Sequence, residues 1–253
     1  LETIPANSSS IEVFAIEARN LLQSLLLPEP GTSPAAAFPE KSPYRAVWKL
    51  IHTTDNFHMW KSEDKSCGIL LRSSSFVETN PKSILLWLLR ENLTSGIDGI
   101  ITSQKVLLPS DQIVTSDEEE NVMYLSEKPT SKDKSSTRII VRRMCAAPFS
   151  LTSSKRDFVV VTQWGELPSG AYFIVTRSLP DDTLPLKKGF VRGNVYCSGF
   201  ILRPLKKGGE SGCEILHVNH LQVHPKKGSG SRFESSKRDI LARSLTSLIV
   251  DKL

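Results

Sequence analysis

The sequence predicts an α+β fold in which a curved antiparallel β-sheet wraps a long C-terminal α-helix. Three observations predict it. Amphipathic helix patterns stand near both ends of the chain. Between them lie a hairpin, one short helix and then a long run of strand patterns with no alternating helices. Within that run, residues 156–205 read as consecutive strands separated by turn chemistry.

The elements follow in order. Ile11 to Leu27 places Ile11, Phe14, Ala15, Ala18, Leu21, Leu22, Leu25 and Leu26 at the spacing of one helix face. Ser8 to Ser10 supply N-caps and Pro28 closes the helix. Residues 28–43 hold five prolines and read as a loop. Phe57 to Ser62 and Gly68 to Val77 form a hairpin across the polar turn Ser62 to Ser66. Pro81 sits in the first turn of a helix that runs to about Asn92. Strand-like stretches follow at 99–108, 111–115 and 121–127, and Asp117 to Glu120 is read as a solvated turn. Residues 128–136 are a charged loop. Arg138 to Cys145 is a strand, and further strands are expected at 156–164, 171–179, 189–203 and 214–224. Phe233 to Leu253 closes the chain as a helix with Leu241, Leu245 and Leu248 on its apolar face. At about 1.5 Å per residue that helix spans roughly 30 Å, enough to lie across a sheet.

Composition narrows the function classes. The 253 residues are 39% hydrophobic and 23% charged, which supports a buried core in one large domain spanning 1–253. The longest apolar runs, such as Ser83 to Leu89, fall short of the roughly 20 residues that cross a bilayer as a helix. A chain that opens on Leu1 is expected to be a segment of a longer protein. The net charge of +5 biases it towards anionic partners such as acidic lipid surfaces. Its four cysteines, at 67, 145, 197 and 213, show no CxxC spacing, and a reducing, cytoplasmic setting is expected.

The stretch 156–205 carries an ordered series: Arg156-Asp157-Phe158, Trp164, Leu167-Pro168, Gly170-Ala171-Tyr172, Arg177-Ser178, Val191-Arg192, Ser198-Gly199 and Pro204. This series resembles the central signature of START domains, the StAR-related lipid-transfer family. The resemblance implies a helix-grip fold with an internal tunnel between sheet and final helix. It implies a single lipid bound there, with a lining drawn from Val141, Thr162, Phe173, Val175, Val195, Cys197, Val218, His220, Gln222, Leu241, Leu245 and Leu248. Thr162 stands where sterol-binding members often carry arginine, and Val141 where ceramide binders carry glutamine. A lumen that is less polar than in either group favours a glycerophospholipid over sterol or ceramide.

Strand geometry sorts the polar residues of the last strand. Over Glu214 to Pro225, His217 and Asn219 alternate to one face, and His220 and Gln222 to the other. Family members place a polar side chain of this strand against the lipid, and the resemblance assigns that role to Gln222, with His220 beside it; the alternative is a solvent-facing or structurally satisfied Gln. By the same resemblance, the loop before Arg156, residues 146–155, gates the tunnel. Its Phe149 and Leu151 either dip into a membrane or pack inward. Lys187-Lys188 and Lys226-Lys227, with Arg232, emerge at one end of two antiparallel neighbours. They form either a basic rim for an acidic bilayer or ordinary solubilising loops. Arg156, Asp157 and Arg192 are read as structural.

No HExxH, GxSxG, P-loop or GxGxxG motif occurs. His217 and His220 point to opposite strand faces, so one metal does not collect them with Cys213 and His224. No metal, cofactor, catalytic group or nucleic-acid partner is expected. The function expected is binding of one lipid by a monomeric domain, peripheral at membranes, that transfers or senses it. The alternative is a lipid-responsive regulatory or protein-interaction module of a larger protein.

Overall fold

The structure, a computed structural model, describes residues 8–26, 48–62, 69–94, 101–107, 138–146 and 155–222. Helix α1 is Ser8–Leu26. Strands β1 (Trp48–Thr53), β2 (Phe57–Ser62) and β3 (Ile69–Val77) follow, then α2 (Pro81–Thr94). The remaining strands are β4 (Ile101–Leu107), β5 (Arg138–Ala146), β6 (Lys155–Glu166), β7 (Tyr172–Ser178), β8 (Phe190–Arg192), β9 (Asn194–Lys207) and β10 (Glu210–Gln222). Among the described residues these ten strands form one curled sheet in the order β1-β2-β3-β10-β9-β7-β6-β5-β4, with β8 beside β6. All pairings are antiparallel except β6 with β8. No helix among the described residues is long and apolar enough to cross a membrane.

Cross-strand partners share a face, so the registers divide the sheet into two sides. Phe173 pairs with Ile201, Ile201 with Leu216, and Val218 with Gly199. This side packs on α1. Ala18, Leu22, Leu25 and Leu26 form one core cluster with Leu70, Phe173, Val175, Cys197, Ile201, Leu216 and Val218. Ala15 meets Val159 and Val161 further along the helix. Ala15 and Ala18 present small side chains to the sheet, and Leu22, Leu25 and Leu26 present large ones. Arg177 at the end of β7 binds Glu17 at 2.8 Å and lies over the Phe14 ring at 5.2 Å. The helix is thereby fixed at the β6 side as well as by its apolar face.

The opposite side carries Trp164, Ile174, Phe200, Leu202, Cys213 and Ile215, which pack on Ile84, Leu85, Leu88 and Leu89 of α2. That helix begins where the chemistry dictates. Asn80 Oδ1 accepts the Lys82 N–H at 2.8 Å as an N-cap, and Pro81 takes the first position, where no N–H is needed. The central strands are therefore covered on both sides. In β6 the ten residues from Arg156 to Gly165 are all buried, which is why its sequence shows no polar alternation.

Two elements differ from the sequence reading. Residues 48–53, ahead of the expected hairpin, form an additional edge strand, β1. The single strand expected at 189–203 is broken at Gly193. Before the break, Phe190–Arg192 runs parallel to Lys155–Asp157. At the break, the Gly193 N–H donates to the Asp157 carbonyl at 3.0 Å, and a side chain at 193 would collide with the Phe158 ring. After it, β9 turns to pair with β7 and β10. The break lets one chain segment serve two sheet positions. The expected final helix at 233–253, the strands at 111–115 and 121–127, and the loops at 28–43 and 128–136 lie outside the described residues.

Leu25 tests the α1 core. Leu25→Ala removes a side chain that is 1% exposed from the centre of this packing. We expect a loss of about 3 kcal/mol in unfolding free energy by urea titration, the usual cost of a large-to-small change in a packed core. A loss under about 1 kcal/mol would mean that α1 does not hold the sheet.

Candidate functional site

The signature residues are found at the joints of the frame. Asp157 is wholly buried. Its Oδ2 accepts the Lys187 N–H at 3.1 Å and faces the Arg192 guanidinium at 3.5 Å, while Arg192 also donates to the Leu184 carbonyl at 2.9 Å. One carboxylate thus ties the start of β6 to β8 and to the loop before it. Ser178 Oγ accepts the Val195 N–H at 2.9 Å. Gly170 adopts φ +78° in the turn between β6 and β7, where its N–H donates to the Leu167 carbonyl at 2.9 Å. Gly199 lies where a side chain would strike the Ile174 carbonyl and the Val175 backbone of β7. These residues hold strands together.

The residues expected to line a common lumen do not share one face. Phe173, Val175, Cys197 and Val218 lie on the α1 side and are consumed by its core cluster. His220 pairs with Cys197 and Leu70 on that same side, with the Tyr196 ring at 4.6 Å. Thr162 lies on the opposite side, paired with Thr176, and the two hydroxyls hydrogen-bond at 2.9 Å. Val141 has Val161 as its register partner, not Thr162. Val195 is buried at a β-bulge: Cys197 and Val195 pair with the consecutive residues His220 and Leu221, leaving Tyr196 as the extra residue. Gln222 pairs with Asn194 at the end of β10. Leu241, Leu245, Leu248, Phe149, Leu151, Lys226, Lys227 and Arg232 lie outside the described residues.

The physical reason for the split is period two. A lining that includes Thr162 continues through Thr176, Ser198 and Asn219, each the cross-strand partner of the one before. His217 joins it one row along, beside Phe200 and Ser73. The α2 side therefore carries His217 and Asn219 in place of His220 and Gln222. The sequence reading separated His217 and Asn219 from His220 correctly and chose the pair that includes His220, which lies on the α1 side. What could have decided it is the register of β10 against β6, which only the order of the intervening strands supplies.

This second face holds a polar seam within an apolar field. Ser73, Ser75, Thr162, His217 and Asn219 are all buried. The His217 ring stacks on Phe200 with centroids 4.4 Å apart. Burial pushes its pKa down to about 4 from the ordinary 6.5, so His217 is neutral at pH 7. Asn219 Oδ1 has no hydrogen-bond partner among the described residues. Of the helices described, α2 alone packs on this side, and it does so at the β10 start, away from Asn219. Cys197 and Cys213 are free, buried thiols, pushed up to about 12 by burial, and take no part in nucleophilic chemistry at neutral pH. A separate open hollow of about 180 Å³ is lined by Asp55, Asn56, His58, Ser74, Ser75, Phe76, Leu205 and Glu214. It lies largely on the α1 side at the far end of the sheet and is rimmed by charge.

At the end of the sheet where β6 begins, Lys155 and Lys187 both approach the Phe190 ring, at 5.8 and 4.7 Å. Leu186 beside them is 53% exposed, and Lys188 is exposed as well. Exposed basic residues around an apolar tip form a discrete surface feature.

Residues 130–232 match the model of the START domain. Two curated proteins of Arabidopsis thaliana are similar over shorter stretches. Homeobox-leucine zipper protein ATHB-9 is 33% identical over 115 residues, 42% of this chain. Protein ENHANCED DISEASE RESISTANCE 2-like is 28% identical over 98 residues, 38% of this chain. The matched stretch is 13% of the length of each. Among solved structures, human StAR-related lipid transfer protein 5 aligns over 97% of this chain and 99% of its own, with TM-score 0.61 and 14% identity. The lipid transfer and protein localization domain of human StarD13 aligns over 81% of this chain and 87% of its own, with TM-score 0.54 and 21% identity. At these identities the likeness is one of fold.

The buried imidazole gives a pH prediction. Folded His217 has a depressed pKa, so the unfolded chain takes up its proton first as pH falls. Stability from this group is whole above about pH 6.5 and is lost progressively down to about pH 4, by about 3 kcal/mol. Urea titrations between pH 7 and 4 should show a steeper loss for the native chain than for His217→Gln. Parallel curves would mean that His217 does not remain neutral in the fold.

Proposed function

Residues 130–232 match the START domain and the chain has the START fold; on that premise we propose that it binds one lipid on the α2 side of its curled sheet and carries or senses it at membranes. The observation that carries this reading is the division of the sheet. The central strands of one face are packed against α1. The other sets a buried polar seam among apolar side chains, an arrangement that suits an apolar molecule with one polar group. Each buried methylene contributes about 0.8 kcal/mol, so a single acyl chain supplies on the order of 10 kcal/mol before ordering costs.

In this reading the lipid enters past the loop 146–155, with Phe149 and Leu151 meeting the bilayer interface, and past the amphipathic segment 233–253, whose Leu241, Leu245 and Leu248 cover the lipid chains. Membrane contact lowers the cost of opening, because apolar surface bared by opening meets lipid and not water. The process is physical and uses no catalytic group. Native mass spectrometry of the purified chain, with organic extraction of what accompanies it, tests this. A 1:1 lipid adduct is the expected result. A chain that stays free of lipid after exposure to mixed liposomes would overturn it.

The exposed tip formed by Leu186, Lys187 and Lys188 supports docking on an acidic bilayer. Lysines near such a surface contribute about 1 kcal/mol each. Lys187→Ala with Lys188→Ala should therefore weaken binding to vesicles containing phosphatidylserine by about 2 kcal/mol, roughly 30-fold, in a co-sedimentation assay at low salt. An unchanged affinity would assign these residues to solubility alone.

A second reading is favoured by one fact. The curated relatives are several times longer than the stretch they share with this chain. A lipid-responsive module that regulates its neighbours in a longer protein fits that proportion. Transfer of labelled lipid between vesicles by the isolated chain separates the readings: catalytic amounts move lipid in the first, and only stoichiometric pickup occurs in the second.

A further inference from the structure

We propose that the outer surface of β1, β2 and β3 docks an acidic peptide segment of a partner protein, with Arg72, held between Trp48 and Trp60, receiving a carboxylate of that segment. The inference concerns the side of the sheet that carries α1, so it stands whichever lipid the domain takes.

The surface follows from the register. Leu50 on β1 is paired with Trp60 on β2, Trp60 with Arg72 on β3, and Arg72 with Val218 on β10. Such partners share a face, and Val218 belongs to the α1 core cluster. Helix α1 packs mainly on β6, β7, β9 and β10, so this row runs outward from the helix to the edge of the sheet. Trp48, two residues before Leu50 on the same face, is half-buried and packs against the cluster. Trp60 is half-buried as well, and Leu50 is 48% exposed.

An arginine near a surface ordinarily keeps its water or meets a carboxylate. The Arg72 guanidinium lies 5.1 Å from the Trp60 ring centroid and 5.9 Å from that of Trp48. Its Nε is shut off from solvent and has no hydrogen-bond partner. Burial lowers its pKa from the ordinary value and Glu214 opposes that shift, so the group stays charged at neutral pH. Glu214 acts on it through space alone, because Arg203 takes its carboxylate: Arg203 Nε donates to Oε2 at 2.7 Å. Among the described residues no carboxylate forms an ion pair with Arg72. A cation that has given up part of its water without an ion pair gains more from an incoming carboxylate than a fully solvated one does.

The surroundings favour a peptide. Aromatic side chains and arginine are the types enriched at the centres of protein interfaces, and here two indoles and one recessed arginine stand together. A bilayer presents its phosphates in a plane, whereas a guanidinium lodged between two rings is reached by one projecting side chain. His58 and Ser74, the next pair along β2 and β3 on this face, line the open hollow of about 180 Å³ together with Phe76 and Leu205. An apolar neighbour of the acidic residue fits there.

The test uses the 253-residue chain and two libraries of short peptides displayed on phage, alike except that the central residue is Glu in one and Gln in the other. Leu50→Asp, a change at an exposed position that should leave the melting temperature level, serves for counter-selection. The expected result is that the Glu library alone yields peptides retained by the native chain and not by Leu50→Asp. In fluorescence anisotropy the best of them should lose at least tenfold in affinity when its Glu is replaced by Gln, a change that leaves the protein untouched, and a similar factor on Arg72→Gln. A merely structural Arg72 would lower the melting temperature on substitution and leave the Glu and Gln peptides alike. If Arg72→Gln does not fold, Arg72→Lys takes its place, with a loss of several-fold expected because lysine lacks the planar fork. No peptide retained from either library, equal selection from both, or binding indifferent to Leu50→Asp overturns this inference. Binding to phosphatidylserine vesicles that Leu50→Asp abolishes, with no peptide retained, overturns it too and assigns the face to a bilayer. None of these outcomes touches the lipid reading.

Discussion

Everything in this structure depends on α1 lying flat across one face of the sheet. Its leucines fill that face from β6 to β10, and Arg177 and Glu17 fix its orientation. A packed helix-on-sheet layer has the density of a crystal and leaves no space for a guest. With the central strands of one face packed against α1, a ligand of those strands would be left the other face. The choice of face is thus decided by the N-terminal helix, far in sequence from the residues that would touch the ligand.

The residues that carry the resemblance and the candidate site are physically distinct sets. Asp157, Arg192, Gly193 and Ser178 link β6, β8 and β9 at one end of the sheet. Gly170 makes the turn at the other end, and Gly199 permits close approach of β7 to β9. Each has a role that only its residue type can fill, such as a buried acceptor, a positive φ or a missing Cβ. Residues of that kind make the stretch readable as one pattern. Ser73, His217 and Asn219 belong to none of these joints.

Legibility in the sequence follows the same division. Helix α1 was readable because a half-buried helix repeats its apolar residues at a fixed interval, and all of Ala15, Ala18, Leu22, Leu25 and Leu26 proved buried. The start of α2 was readable from Pro81, while its cap, Asn80, came only with the structure. Strand existence was readable from β-branched runs, but strand sidedness was not. Where both faces are buried, as in β6, alternation carries no sign of which face is which. His217 and Asn219 were separable from His220, yet choosing between them required knowing that β10 lies two strands from β7 and that α1 covers the even-numbered side. The break at Gly193 was invisible for a different reason: a residue run of uniform strand character gives no warning that its two halves pair with different neighbours.

A buried polar seam opposite a filled face has a thermodynamic consequence for how such a domain works. In the absence of a partner, Asn219 lowers the stability of the face it occupies, relative to leucine of similar volume. A molecule that satisfies it binds the folded state alone, because the unfolded chain presents no such surface, and so raises stability in proportion to its occupancy. Ligand loading and folding stability are then coupled through the same side chain. A domain built this way can report the presence of its ligand by becoming more rigid, whether it delivers the molecule elsewhere or passes the change to a neighbouring segment. The polar residue that lowers the stability of the empty fold is the one through which a bound ligand would be felt.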